Sequence, residues 1–187
     1  MGRTSRADQK RIQIIQALYD CLSEKGHDSV TIKTIAMQAE LPPGVIHYYF
    51  KSKDDIFIEL IQHLQDHYQQ MWDDALHIGT NEIMIDAAIS FLAEKMVLEP
   101  RINRVLYNLV QLGFERENVR DAMRRIYRVY RKRLSETFFN NLPSDQRMQK
   151  SSLLLAVVEG LALQFVIEAG FIDEQHVKQL LYRVIAL

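Results

Sequence analysis

The chain is poor both in residues that interrupt regular structure and in residues that cross-link it. Its 187 residues include only 4 Pro and 7 Gly. Folds with many tight turns use both freely, so long, uninterrupted helices are the expectation. The single cysteine, Cys21, leaves no internal disulfide to form and fits a reducing cytosol. No glycine-rich phosphate loop is visible, and no Ser–His–Asp set or partner for Cys21 stands at a recognisable spacing. An enzyme is therefore not expected, and no cofactor is. The opening residues, MGRTSRADQKR, lack an apolar signal core. The most apolar run, Leu153 to Ala169, is short for a bilayer span and holds Glu159, Gln164 and Glu168. These absences leave a soluble, cytoplasmic, almost wholly helical protein with no membrane partner.

What is present is a basic head on an acidic body. Net charge is −1, which by itself argues against general affinity for nucleic acid. Residues 1–53, however, carry eight Lys/Arg against five Asp/Glu, and the remainder carries 15 against 19. Such an asymmetry directs a polyanion to one end of a molecule.

The stretch from Thr31 to Lys53 organises the rest. Thr31 is a good N-cap, and Ile32, Ile35, Ala36 and Ala39 follow at helical spacing on one face. Glu40-Leu41-Pro42-Pro43 ends that helix and opens another, with Pro43 suited to its first position and Pro42 held extended. The second helix, Gly44 to Tyr49, is too short to stand alone and must lean on a neighbour through Ile46 and Phe50. Its outer face carries Val45, His47 and Tyr48, flanked by Lys33, Lys51 and Lys53. A short supported helix with that outer face fits a DNA major groove. A first helix from Arg6 to Lys25, stopped by Gly26, supplies the supporting wall through Ile12, Ile15, Leu18, Tyr19 and Leu22. Arg6, Lys10 and Arg11 near its start are candidates for phosphate contact or plain solvation, and residues 1–11 form a polar arm.

Ser52 caps a long helix from Lys53 to Ile78, ended by Gly79, whose apolar face includes Ile56, Phe57, Leu60, Ile61, Leu64, Met71 and Trp72. Five more helices are expected, over Asn81–Leu98, Arg101–Leu112, Glu117–Asn140, Ser144–Ala169 and Glu174–Ala186. Pro100 and Pro143 mark starts; Gly113 and Gly170 mark stops. The fold class is all-α with about nine helices: a three-helix helix-turn-helix head at 1–53 and a helical-bundle body at 54–187, to which the resemblance given below assigns ligand binding and dimerisation. The helix Ser144–Ala169 is apolar all round from Leu153 to Ile167, so it must be buried on every side. In a body this small a second subunit is the simplest cover, with Val177, Leu180, Leu181, Val184 and Ile185 of the last helix joining it.

Residues 31–53 resemble the amino-terminal pattern of the TetR-type bacterial transcriptional repressors, T-x-R-x-I-A-x-x-A-G-V-S-x-G-x-L-Y-x-Y-F-x-S-K. Thr31, Lys33, Ile35-Ala36, Ala39, Leu41, Gly44, Ile46, Tyr49-Phe50 and Ser52-Lys53 answer it without a gap. Three positions depart. Glu40 replaces a common glycine, so a positive φ there would cost about 1 kcal/mol. Pro42 replaces a usual serine cap, and His47 a usual tyrosine. The resemblance implies a ligand-responsive repressor that binds a palindromic operator in double-stranded DNA as a homodimer, joined by a four-helix bundle of the last two helices. It implies DNA contacts at Thr31, Lys33, Pro42, Pro43, Gly44, Val45, His47, Tyr48, Tyr49 and Lys53. It also implies a largely apolar pocket for a small-molecule effector between the long helices. Candidates to line that pocket are His63, His67, Met71, Trp72, Asn103, Tyr107, Gln111, Tyr127 and Phe165. The alternative is a helical ligand-binding or protein-interaction module with an inactive head, for which Pro42 and His47 argue.

Three constellations have competing readings. His63 and His67, four apart with acids nearby, have metal-ligand spacing but lack a third ligand, so no metal site is expected. Arg120, Arg124, Arg125, Arg128, Arg131, Lys132 and Arg133 form a basic strip that rivals the head as a nucleic-acid surface; lying mainly off a core stripe, they read as a solvated face, with an anionic effector or partner as the alternative. Glu159 beside Gly160 reads as a polar group at a tight helix crossing, with a cationic ligand as the alternative.

Overall fold

The computed structural model describes residues 5–77 and 81–187. The expected helix end at Ile78, the stop at Gly79 and the first four residues of the arm lie outside them. Among the described residues there are nine α-helices and no strand. They are α1 (Arg6–Glu24), α2 (Ile32–Gln38), α3 (Pro43–Tyr49), α4 (Lys53–Leu76), α5 (Asn81–Phe91), α6 (Pro100–Glu115), α7 (Glu117–Phe138), α8 (Ser144–Ile167) and α9 (Glu174–Ala186). The chain forms two compact units, Met1–Gln65 with Arg104–Arg124, and Asp66–Asn103 with Arg125–Leu187.

In the first unit the caps are local and strong. Ser5 and Asp8 close a capping box on α1, Thr31 and Thr34 close another on α2, and Ser52 and Asp55 exchange bonds of 3.0 and 3.1 Å before α4. Ile14, Leu18, Leu22, Ile35, Ile46, Phe57 and Leu60 are fully buried, and they are the inward positions of α1 to α4. Polar ties fix the arrangement. Gln13 donates to the Ala39 carbonyl at 2.7 Å, holding the α2–α3 turn against α1. Arg11 pairs with Glu59, donates to the Tyr49 carbonyl at 2.8 Å and lies over the Phe50 ring. Arg11 is thus a structural clasp within the head. Asn108 of α6 accepts from the His27 N–H at 2.7 Å and donates to the Leu22 carbonyl at 3.1 Å, joining α6 to the end of α1.

Gly113 is not a stop. It is buried inside α6, which runs on to Glu115, and an added Cβ would touch the Arg120 backbone at 3.4 Å. Its small size lets α6 and α7 approach. Arg120 then crosses back and donates to the carbonyls of Gly113 and Phe114, at 2.7 and 2.9 Å, satisfying groups the helix end leaves open. Gly26 keeps an ordinary φ of −67° and precedes a 3₁₀ turn, while Gly170, at φ +85°, does reverse the chain after α8.

In the second unit the expected helix Asn81–Leu98 changes character midway. Residues Leu92–Val97 form a π-helical segment, with Leu98 N–H bonded to the Ala93 carbonyl at 2.9 Å. Trp72, Phe91, Leu92, Leu134, Leu154, Leu155, Val158, Val177 and Leu181 belong to one buried core. The chain alone covers α8 on one side only. Leu154, Leu155, Val158 and Leu161 face inward, whereas Leu153, Leu163 and Ile167 stay exposed, as do Leu180 of α9 and Leu187 just after it. Leu181 is fully buried in the chain's own core, so Leu180 is the outward leucine of that pair. Among the described residues α8, counted from Ser144, is the one helix long and apolar enough to cross a bilayer by length and composition.

Candidate functional site

The DNA-reading candidates gather on α2, α3 and the start of α4. Pro42 stands at the N-cap with ψ 140°, and Pro43 takes the first helical position, so the short helix starts without a side-chain cap. Glu40 adopts φ 53°, the left-handed conformation that glycine would accept without strain. Ile46 and Phe50 are buried beneath the helix. Above it Pro43, Gly44, His47 and Tyr48 are exposed, Tyr48 at 83%, while Val45 and Tyr49 are half-buried. Nothing lies within 4 Å of a Cβ added to Gly44, so nothing in the first unit requires a glycine at that exposed position. The Tyr48 and Tyr49 rings meet edge to face at 5.0 Å, which limits where the Tyr48 phenol can swing. Thr31 and Lys33 are exposed on α2.

Lys53 differs from the others. Its ammonium donates to the Val30 carbonyl at 2.8 Å and lies near the Phe57 ring. Burial, with Arg116 close by, lowers its pKa from the ordinary lysine value. One of its three N–H groups is committed inside the head, leaving two for an outside acceptor.

The second unit holds an apolar cavity of about 50 Å³, lined chiefly by Tyr68, Trp72, Phe91, Leu92, Met96, Tyr130, Leu134 and Val158, with Gln69 and Arg133 contributing carbon atoms rather than polar groups to the wall. At about 10–15 Å³ for each water-sized occupant, that is room for roughly four. The rings of Trp72 and Phe91 stand edge to face at 5.3 Å, and Tyr68 meets Phe91 at 6.5 Å. Tyr130 is half-buried against the core, and desolvation of its phenol, with Tyr68 and Glu159 adding, pushes it far up, so it stays an O–H donor. Arg133 pairs with Asp73 through two bonds, one of them at 3.2 Å.

Of the nine pocket candidates only Trp72 lines this cavity. His63 and His67 are exposed, because their face of α4 lies beside the apolar stripe rather than on it. Among the described residues no group of three or more His, Cys, Asp or Glu side chains is placed to hold a metal ion. Asn103 is buried for a different reason: its amide donates to the Val97 carbonyl at 2.9 Å, a group the π segment leaves open. Gln111 is exposed; Met71, Tyr107, Tyr127 and Phe165 are half-buried outside the lining. The π segment was the missed feature, since it carries Leu92 and Met96 into the wall and has no sequence signature. Glu159 is half-buried, and burial raises its pKa despite a hydrogen bond from Tyr127. In α7, Arg124 pairs with Asp121 and Lys132 with Glu136, while Arg125 and Arg128 are exposed.

An exposed, scaffolded α3 following α2 is the arrangement of a helix-turn-helix reader. The family model for bacterial regulatory proteins of the tetR family matches residues 14–60, the segment that builds it. The chain is a TetR-type regulator. It is similar to the HTH-type transcriptional regulator HbdR of Aromatoleum sp., at 38% identity over 63 residues, 34% of this chain and 28% of that protein. The likeness to the HTH-type transcriptional regulator BetI of Burkholderia lata is weaker but extends over the whole chain, 23% over 199 aligned positions and 97% of the relative. Among solved structures, a transcriptional regulator from Rhodococcus sp. superposes with TM-score 0.81 at 21% identity, covering 94% of each chain. A regulator from Saccharomonospora viridis in complex with choline does so with TM-score 0.79 at 19% identity, covering 95% of this chain and 96% of that one. At such identities these structures speak for the fold of the TetR-type regulator. Its relatives are transcriptional regulators, and proteins of this family are soluble and bind DNA and small molecules.

Proposed function

We propose that this TetR-type regulator is a cytoplasmic repressor, without enzymatic activity, that leaves a palindromic operator when a small, largely apolar molecule enters the second-unit cavity. Residues 1–53 serve DNA binding, and residues 54–187 serve effector binding and dimerisation. The observation that carries the reading is the outer face of α3. It leaves His47 and Tyr48 exposed above a fully buried Ile46, beside the lysine of α2. A groove-binding helix needs that division between a rigid inner face and a polar outer one. His47 and Val45 read bases, Pro43 and Gly44 admit the groove edge closely, and Thr31, Lys33, Pro42, Tyr48, Tyr49 and Lys53 set position on the backbone.

The exposed leucines of α8 and α9 support a homodimer, since a second copy would cover an apolar face the chain leaves open. Release then follows from population shift: the effector must bind better to a form of the dimer whose heads no longer match two half-sites. Trp72 is the only tryptophan of the chain and lines the cavity, so its emission reports occupancy. Titrating operator complexes with candidate effectors tests the reading. Release of DNA and the change in Trp72 emission are expected at the same effector concentration; release without any Trp72 response would place the effector elsewhere.

A further inference from the structure

The wall of the second-unit cavity is almost entirely carbon. Gln69 and Arg133 border it with carbon atoms, and the Arg133 guanidinium is held by Asp73, which is outside the lining. The hydrogen-bonded pair Tyr127 and Glu159 is outside it as well. We propose that the effector buries a bare hydrocarbon group of about four carbons here, with no charge, donor or acceptor on the buried part. This rests on the cavity being the effector site and names the chemistry that fills it.

The wall excludes polar occupants by leaving them unpaired. A hydroxyl or amine that enters gives up its hydrogen bonds to water and meets no replacement, and a carboxylate or ammonium gives up more. Water is under the same constraint. An ordered water needs two to four polar partners, so this space favours dryness, and an apolar occupant displaces nothing that was well bound. Such an occupant gains dispersion contacts with the aromatic edges of Trp72 and Phe91 and with the aliphatic Leu92, Leu134 and Val158.

Volume sets the size. The space of about 50 Å³ is roughly a third of the 150 Å³ or so at which an apolar cavity lodges benzene. A short or branched chain therefore fits better than a ring of six. Burial sets the direction of entry. Trp72, Leu92, Leu134 and Val158 are buried and close the inner side, whereas Tyr68, Met96 and Tyr130 are half-buried on the other. Met96 is unbranched and adaptable, the kind of side chain that yields to an entering group. The occupant is then either a free hydrocarbon or the apolar end of an amphiphile whose polar part stays outside the wall.

The test uses the full chain and Trp72 emission. Butane, 1-propanol and propylamine are matched in heavy atoms, and 1-octanol carries its hydroxyl beyond the wall. Butane is expected to saturate the response and to bind at least ten-fold more tightly than 1-propanol, with propylamine the weakest. From ethane to butane the affinity should rise about four-fold for each carbon. Tighter binding of 1-octanol than of butane would assign the group to the end of an amphiphile; weaker binding would assign it to a free hydrocarbon. Val158→Phe, which fills the inner side, should abolish the butane response. Val158→Ala, which enlarges it, should favour pentane over butane by about four-fold relative to the parent. It decides the matter if Val158→Phe fails to fold by circular dichroism. 1-Propanol or propylamine binding within ten-fold of butane would overturn the hydrocarbon while leaving the cavity as the effector site. No saturable response to any probe would overturn both.

Discussion

The side-chain amide of Asn103 donates to the backbone carbonyl of Val97 at 2.9 Å, inside the buried core at the end of the π segment. Val97 is the last residue of that segment, so its carbonyl has no partner within the helix, and Asn103 is the group that satisfies it. Asn103→Leu, close in volume but without a donor, is expected to cost about 1–3 kcal/mol of stability. Urea unfolding measures it; an unchanged midpoint would mean that the carbonyl finds another partner.

His47 stands exposed on α3 above the fully buried Ile46. His47→Ala should relax preference at one or two base pairs of each half-site, by about 1–3 kcal/mol against the best sequence, and leave affinity for unrelated DNA unchanged. Selection from random duplexes with both proteins decides this. Equal stringency at every position would remove His47 from the base readers and turn attention to Tyr48.

Lys53 has two expected effects, one on DNA binding and one on the stability of the head. Lys53→Ala should weaken binding to all duplexes alike and make the salt dependence shallower by about one unit of slope. It should also lower the melting temperature, since the bond to the Val30 carbonyl is lost. A lower melting temperature with an unchanged salt slope would make Lys53 purely structural.

Much of this architecture is local chemistry, and local chemistry is readable. Thr31 and Ser52 cap, Pro43 opens α3, Ile46 and Phe50 face inward, and the left-handed Glu40 stands where the family pattern has glycine. What was not legible depends on how one helix packs against another. Gly113 resembles a stop signal until Arg120 is seen packed against it. Leu180 and Leu181 are equivalent in composition, and only the packed core shows which of them is turned inward. For the same reason Trp72 alone of the nine pocket candidates lines this cavity. Periodicity picks the inward face of α4, but the π segment and α7 decide which turn of that face meets open space.

Glu159 gives the pH dependence a sign. Its folded pKa is raised above the ordinary glutamate value, chiefly by burial. The folded protein therefore holds the proton more tightly than the unfolded chain, and stability falls as pH rises from the ordinary carboxyl value through the raised one. Glu159→Gln, which stays neutral, should melt higher than the parent near neutral pH. That advantage should shrink below about pH 4, where the parent carboxyl is itself protonated. A difference independent of pH would assign the effect to packing.

The apolar face of α8 and α9 separates assembly from folding. Leu163→Glu, at an exposed site, should leave helix content intact and shift sedimentation toward monomer. Leu181→Glu buries a charge in the chain's own core and should unfold it. A folded, fully assembled Leu163→Glu protein would move the interface elsewhere.

The central claim, that the head is a working reader of DNA, is tested most directly by capturing genomic fragments on the purified protein and sequencing them. The same capture with a His47→Ala, Tyr48→Ala double variant serves as the control. The account expects a small set of fragments sharing one inverted repeat, recovered by the parent and lost or degenerate with the variant. Fragments without a common sequence, or the same repeat recovered equally by the variant, would contradict it.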